Sequence, residues 1–211
     1  PLERLFQIAP VVIELNTLDL IEYKRRGKLR YYLHKATRDR VFKKAEGFVA
    51  VSNEIATSKD NTRYGRPILV SGNGISMENI AVLPEPDNAK PRLFYIGTPR
   101  QSWQGLDKIV FLAHRLSGCI FDVVGTDCHE LAGWSVPANM NLHGFLTYLE
   151  YLPILEKADI GIGTLALHRK QMHEASPLKV REYLAHGLPV IIGYKDTDLS
   201  KYDFQFILEI P

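Results

Sequence analysis

The stretch Glu174-Ala-Ser-Pro-Leu-Lys-Val-Arg-Glu182-Tyr-Leu-Ala-His-Gly187-Leu-Pro189-Val-Ile-Ile constrains the fold of this chain more than any other. Ser176 suits an N-cap and Pro177 a first helical position, where a missing N–H costs nothing. Val180, Tyr183 and Leu184 then recur at helical spacing as a core-facing stripe, and Gly187 and Pro189 end the helix before an apolar run that reads as a buried strand. Two carboxylates bracket the helix start: Glu174 in the loop before it and Glu182 more than one turn inside it. The free N–H groups and the dipole at residues 176–179 form an anion site, and Lys179 adds a point charge suited to phosphate. Glu182 can accept hydrogen bonds from neighbouring hydroxyls such as those of a ribose. A diphosphate at the helix end beside a ribose is the chemistry of a nucleotide sugar.

The rest of the chain alternates in the same way. Apolar runs at 11–16, 48–51 and 67–70 read as strands, with a long basic helix over about 20–45 and a shorter one at 54–64 between them. Later strands at 94–96, 121–124, 141–142, 160–162 and 190–192 alternate with helices at 106–116, 148–157 and 177–186. Such alternation predicts parallel sheets covered on both faces. Between the two series, residues 83–91 carry three prolines and no apolar periodicity, which reads as a linker. The expected domains are therefore 1–82 and 92–211.

Composition removes several classes of function. A chain of 211 residues with 45% hydrophobic content is globular, and a formal charge of +2 is too small to indicate a nucleic-acid partner. No run of about 20 apolar residues is present to span a bilayer. Cys119 and Cys128 have neither metal-type spacing nor the density of a disulfide scaffold, so reduced thiols in a cytoplasmic protein are expected. The chain begins at Pro1 without an initiator methionine, which reads as a processed or partial chain.

The two glutamates seven residues apart, within E-x-x-P-L-K-x-x-E-Y-x-A-x-G-x-P-V-I, resemble the signature of retaining glycosyltransferases of the GT-B fold, family 4 in particular. Further pieces resemble that family in the same order: Gly47-Phe-Val-Ala-Val-Ser-Asn53, Ser71-Gly-Asn-Gly-Ile75, Leu93-Phe-Tyr-Ile-Gly97 with Trp103-Gln-Gly-Leu-Asp107, Phe121-Asp-Val-Val-Gly125, Asn141-Leu-His-Gly144 and Ala158-Asp-Ile-Gly-Ile-Gly163. The resemblance implies an α/β protein of GT-B type with two Rossmann-like, doubly wound parallel sheets. The N-terminal, acceptor-side domain would be incomplete and the C-terminal, donor-binding domain truncated at its end. It implies a hexosyltransferase of the kind used in polysaccharide biosynthesis, moving a sugar from a nucleoside-diphosphate sugar to a glycan or lipid-linked acceptor with no metal cofactor. A non-catalytic nucleotide-sugar or glycan-binding module, or a sugar-nucleotide epimerase or phosphorylase, is the alternative.

The same resemblance assigns site residues. Glu174 would contact hydroxyls of the transferred sugar and Glu182 the ribose, with the backbone of Ala175, Ser176, Pro177 and Leu178 along the sugar and diphosphate. Lys179 is either a phosphate ligand or a surface partner of Glu182. Gly97 opens the loop after the first strand of the donor domain. Where the family carries an arginine and a lysine in that loop, this chain has Thr98 and Gln104; Arg100 either substitutes for them or faces solvent. His143 and Gly144 stand where a nucleobase pocket is expected, and Asn16 on the acceptor side either meets a sugar or makes a turn. Asp196-Thr-Asp198 imitates a metal-binding D-x-D but reads as a polar turn before a helix. The basic helix around residues 23–44 is either a solvated face or a contact with anionic membrane, peripheral to its inner surface.

Overall fold

The computed structural model describes residues 2–78, 80–126 and 129–210. Its elements are α1 (Leu2–Ile8), β1 (Val12–Leu15), α2 (Asp19–Arg25), α3 (Lys28–Phe42), β2 (Gly47–Ala50), α4 (Asn53–Thr57), α5 (Lys59–Thr62), β3 (Ile68–Val70), β4 (Arg92–Ile96), α6 (Leu106–Arg115), β5 (Ile120–Val124), β6 (Met140–Leu142), α7 (Tyr148–Leu155), β7 (Ile160–Ile162), β8 (Glu174–Ala175), α8 (Leu178–Ala185), β9 (Val190–Ile192), β10 (Lys195–Asp196) and β11 (Ile207–Glu209). Single 3-10 turns lie at Ser102–Gln104, Leu167–Lys170 and Leu199–Lys201. Two compact units result. The first comprises Pro1–Asn73, Lys170–Ser176 and Asp196–Lys201; the second comprises Gly74–Arg169, Pro177–Lys195 and Tyr202–Pro211.

In the first unit β1, β2 and β3 form a parallel sheet in that order, with Phe48 paired to Ile13 on one side and Ile68 on the other. Its core gathers Leu15, Leu20, Phe42, Phe48, Ala50 and Ile55. Two expected helices are each divided. The basic helix breaks at Gly27, whose φ of +114° lies in the left-handed range that glycine adopts without a Cβ clash, so α2 and α3 are separate elements. The helix expected at 54–64 is interrupted at Ser58, where ψ of 133° is extended and splits α4 from α5.

In the second unit six parallel strands run in the order β11-β9-β7-β4-β5-β6. Alternating side chains of β4 explain why both faces are covered. Leu93 and Tyr95 join Ile109, Val110 and Ala113 of α6 in one core, with Phe121, Val123 and Ile162 from the neighbouring strands. Phe94 points the other way, against Tyr151 of α7 and Tyr183 of α8. The sheet is therefore doubly wound. From β4 the order grows outward through β5 and β6 on one side and through β7, β9 and β11 on the other, so it reverses between β4 and β7. Open sheets of this kind bind ligands outside the carboxyl ends of their strands at that reversal. Residues 83–91 carry no helix or strand, and the backbone of Leu83 donates to the carbonyl of His186.

Candidate functional site

The carboxyl ends of β4 and β5 are held at backbone contact. Gly97 N–H donates to Val124 O at 3.1 Å, and Gly125 N–H donates to Gly144 O at 2.6 Å. Gly125 has φ of +83°, and a Cβ placed on it would stand 1.9 Å from Gly97 O. Only glycine fits there, because the carbonyl of Gly97 occupies the space a side chain would need. Thr98 follows as an exposed residue.

Helix α8 begins at the same end of the sheet. The structure moves its cap by one residue from expectation: Pro177 occupies the N-cap position, while Ser176 Oγ accepts the N–H of Asn73 at 2.8 Å. Pro177 O receives Val180 and Arg181, which leaves the first-turn N–H groups of Leu178 and Lys179 without intrahelical acceptors. Leu178 itself is exposed.

Lys179 is not the surface partner of Glu182. Its Nζ donates to Gln104 Oε1 at 2.6 Å and lies 4.4 Å from the centre of the Tyr95 ring. The same Gln104 oxygen accepts the Tyr95 hydroxyl at 2.8 Å, and Gln104 Nε2 donates to Gln101. Gln104 is buried, and loss of solvent around the ammonium pulls the Lys179 pKa down from 10.5 to about 7. The reason for the departure is the position of Gln104. Its amide oxygen is the acceptor that draws a lysine in from α8.

Glu182 projects from the next turn and accepts the Tyr151 hydroxyl at 2.6 Å; burial, and after it this bond, raises the Tyr151 pKa. Tyr183 is fully buried between these groups, and its oxygen accepts the N–H of Ile96, tying α8 to the end of β4.

Glu174 lies in the first unit and is committed there. Its carboxylate accepts Asn53 N at 3.0 Å, Asn53 Nδ2 at 2.8 Å and Glu54 N at 3.1 Å. Glu54 reciprocates, accepting the N–H groups of His173 at 2.8 Å and Glu174 at 2.9 Å. With Ser52 Oγ accepting Ile55 N, the whole first turn of α4 is capped. Burial alone would raise the Glu174 pKa, but the hydrogen bonds from Asn53, Thr197 and Glu54 outweigh it and hold it below the ordinary carboxylate value. Ala175 O, beside it, accepts Thr197 N at 3.1 Å.

Among the remaining expected residues, His143 follows β6 and its Nε2 meets Asp122 Oδ1 at 2.9 Å. Asp122 is buried on β5 and also accepts Arg92 and Asn141, so His143 is oriented by the sheet. Arg100 is exposed with φ of +61°, its N–H donating to Glu130 at 2.8 Å. It lines a cleft of about 440 Å³ with Gln101, Asp107, Trp134 and Arg169, in which Asp107 and Arg169 pair at 2.6 Å. Asn16 is exposed just after β1. Asp196 accepts the N–H groups of Asp198 and Leu199 and so caps the 3-10 turn at Leu199–Lys201, a structural use of the D-x-D pattern. Asp127 and Cys128 lie outside the described residues. Among the described residues no group of three or more His, Cys, Asp or Glu is placed to hold a metal, and no helix is long and apolar enough to cross a membrane.

Sequence reasoning missed the Tyr95–Gln104–Lys179 cluster, the Tyr151–Glu182 bond and the Asn53–Glu174 cap. Their partners are separated by 75, 31 and 121 positions, beyond the reach of any local pattern.

No family model and no curated protein matches the sequence. Solved structures do. Sucrose-phosphate synthase from Thermosynechococcus elongatus is similar at 12% identity over 88% of this chain and 50% of that one, with a TM-score of 0.64. Anabaena HepE, solved with UDP and glucose, is similar at 13% identity over 95% of this chain and 58% of that one, with a TM-score of 0.59. A glycosyltransferase from Rickettsia africae is similar at 16% identity over 82% and 50%, with a TM-score of 0.52. The chain thus spans about half the length of these proteins. The likeness establishes an α/β fold with parallel sheets of the GT-B glycosyltransferase type.

Proposed function

We propose that this chain carries the donor-binding part of a retaining glycosyltransferase, which moves a hexose from a nucleoside-diphosphate sugar to a glycan or lipid-linked acceptor. The observation that carries this reading is the start of α8, with Lys179 behind it, at the end of the sheet where the strand order reverses. The diphosphate lies against the N–H groups of Leu178 and Lys179 and over the bare backbone at Gly97. The helix dipole and Lys179 stabilise the charge that develops as phosphate leaves. Arg100 supplies a second cation from its loop. Glu182, whose second oxygen is not engaged by Tyr151, accepts the ribose hydroxyls, and His143 and Gly144 border the base. The acceptor hydroxyl attacks from the face that the phosphate leaves, with no protein nucleophile. Asn16 belongs to the acceptor side, and Glu174 is assigned to hydroxyls of the transferred sugar. No metal enters this scheme.

A second reading has one observation in its favour. Gln104 and Thr98 stand where cations would, which suits a module that binds a nucleotide sugar without transferring it.

Thermal melting with UDP, GDP and ADP tests the site, since a ligand at ~100 times its dissociation constant adds about 2.7 kcal/mol. One diphosphate is expected to stabilise the chain, and Glu182→Ala to weaken it about 10- to 100-fold. No shift with any of the three ends the proposal. Transfer of labelled sugar to an acceptor, against binding alone, separates the first reading from the second.

A further inference from the structure

Charge is distributed unevenly along this chain. Of its 26 Lys and Arg residues ten lie between Lys24 and Lys44, against one of its 24 acids, Asp39. The structure separates these cations into two groups. Arg38 is buried, bonded to Asp19, Asn61, Tyr64 and the carbonyl of Asp60, and stacked on Phe42, while Lys35 lies over the Tyr31 ring. Lys24, Arg25, Arg26, Lys28, Arg30, Arg40, Lys43 and Lys44 are exposed.

Between the two clusters of exposed cations, α3 turns apolar side chains to solvent. Leu29 is 74% exposed, Tyr32 65% and Leu33 60%, with Ala36 one step further. Their spacing of i, i+3, i+4 and i+7 puts them on one face, opposite the face that buries Arg38 and Phe42. The break at Gly27 starts this helix at Lys28, so the apolar stripe begins in its first turn with basic residues on both flanks.

We propose that this face of α3 docks on an anionic lipid bilayer, with Leu29, Tyr32 and Leu33 entering the headgroup boundary and the flanking cations meeting the headgroups. The inference goes beyond the donor site and is independent of it. A soluble polyanion, such as nucleic acid, would engage the cations but leave the leucines in water. An exposed apolar stripe with a basic rim satisfies both at a lipid surface.

Co-sedimentation of the whole chain with vesicles decides it. Vesicles of phosphatidylcholine with one-third phosphatidylglycerol are expected to retain the chain at low salt and release it as screening rises. The pair Leu29→Gln and Leu33→Gln should lower retention about 10-fold with the melting temperature unchanged, because two exposed leucines carry enough apolar area for an effect of that size. Leu33→Trp should add a blue-shifted emission, over that of the parent chain, quenched by brominated acyl chains in anionic vesicles. Equal retention on pure phosphatidylcholine overturns the proposal. So does full retention by the glutamine pair, an unshifted emission from the Leu33→Trp variant, or binding to duplex DNA without binding to vesicles.

Discussion

Glu174 and Lys179 stand five residues apart on either side of the Ser176–Pro177 junction, and both have lowered pKa values, with opposite meanings. For Glu174 the shift records a charge that its surroundings welcome: Asn53 and Glu54 supply donors that stabilise the anion. For Lys179 it records a charge that its surroundings resist, because a neutral amide oxygen and an aromatic face replace water without a carboxylate. The first residue is therefore at rest without a ligand. The second is held in a state that an incoming anion relieves. One contiguous sequence motif contains a structural clasp and a charge awaiting a counter-ion.

Removing the clasp tests the first half of that contrast and has the largest expected effect. Glu174→Ala strands donors at the head of α4 and should cost about 1.5–3 kcal/mol in urea unfolding, in the range of lost hydrogen bonds to a charged group. A loss below about 0.5 kcal/mol, the scale of an ordinary surface substitution, would make the clasp incidental and collapse the comparison.

Lys179→Met tests the other half. Replacing a resisted charge by an apolar side chain of similar length should raise stability at pH 7 by about 1–3 kcal/mol while weakening nucleoside diphosphate binding. The sign with pH follows from the two values. Between a folded pKa of about 7 and an unfolded one of 10.5 the unfolded chain binds more protons, so stability rises with pH across that window. The methionine variant should lose that rise; if its pH profile matches the parent's, Lys179 is an ordinary solvated lysine.

A smaller, opposite limb belongs to Glu174. Its folded pKa lies below the ordinary value of 4.5, so its contribution is present above that value and is lost as pH falls through the folded pKa. Glu174→Gln should flatten this acid limb, read by circular dichroism, and leave the limb above pH 7 as it was. The least effect is expected at Arg100, where Arg100→Gly relieves a left-handed backbone and should gain about 1 kcal/mol. Diphosphate affinity in this variant then reports whether its guanidinium serves the site.

Much of the framework was legible in the sequence. A strand such as Val190–Ile192 is a short apolar run with glycine next to its end, and burial leaves such a run few other choices. The break at Gly27 was not legible. One glycine costs a helix only about 1 kcal/mol, too little to end it without the tertiary contacts that hold Arg38 and His34 against Asp19. The motif at 174–182 located the start of α8 and the two glutamates but not their partners. Tyr151, Asn53 and Gln104 are distant in sequence, and which hydroxyl or amide meets a given charge depends on packing that no period in the sequence records.

The division of the chain has a consequence for how the protein can be taken apart. The backbone passes from one unit to the other after Asn73, Arg169, Ser176, Lys195 and Lys201. Neither unit corresponds to an uninterrupted stretch of coding sequence, so no single cut can release either one whole. A truncation near residue 170 would deprive the first unit of Glu174 and Thr197, both of which belong to it. For the same reason a recombination that exchanges only the first 73 residues would bring in a foreign α4 and keep the native cap for it. Inheritance of this fold by shuffling is therefore workable only if Asn53 and Glu54 travel with the distant segment that closes over them.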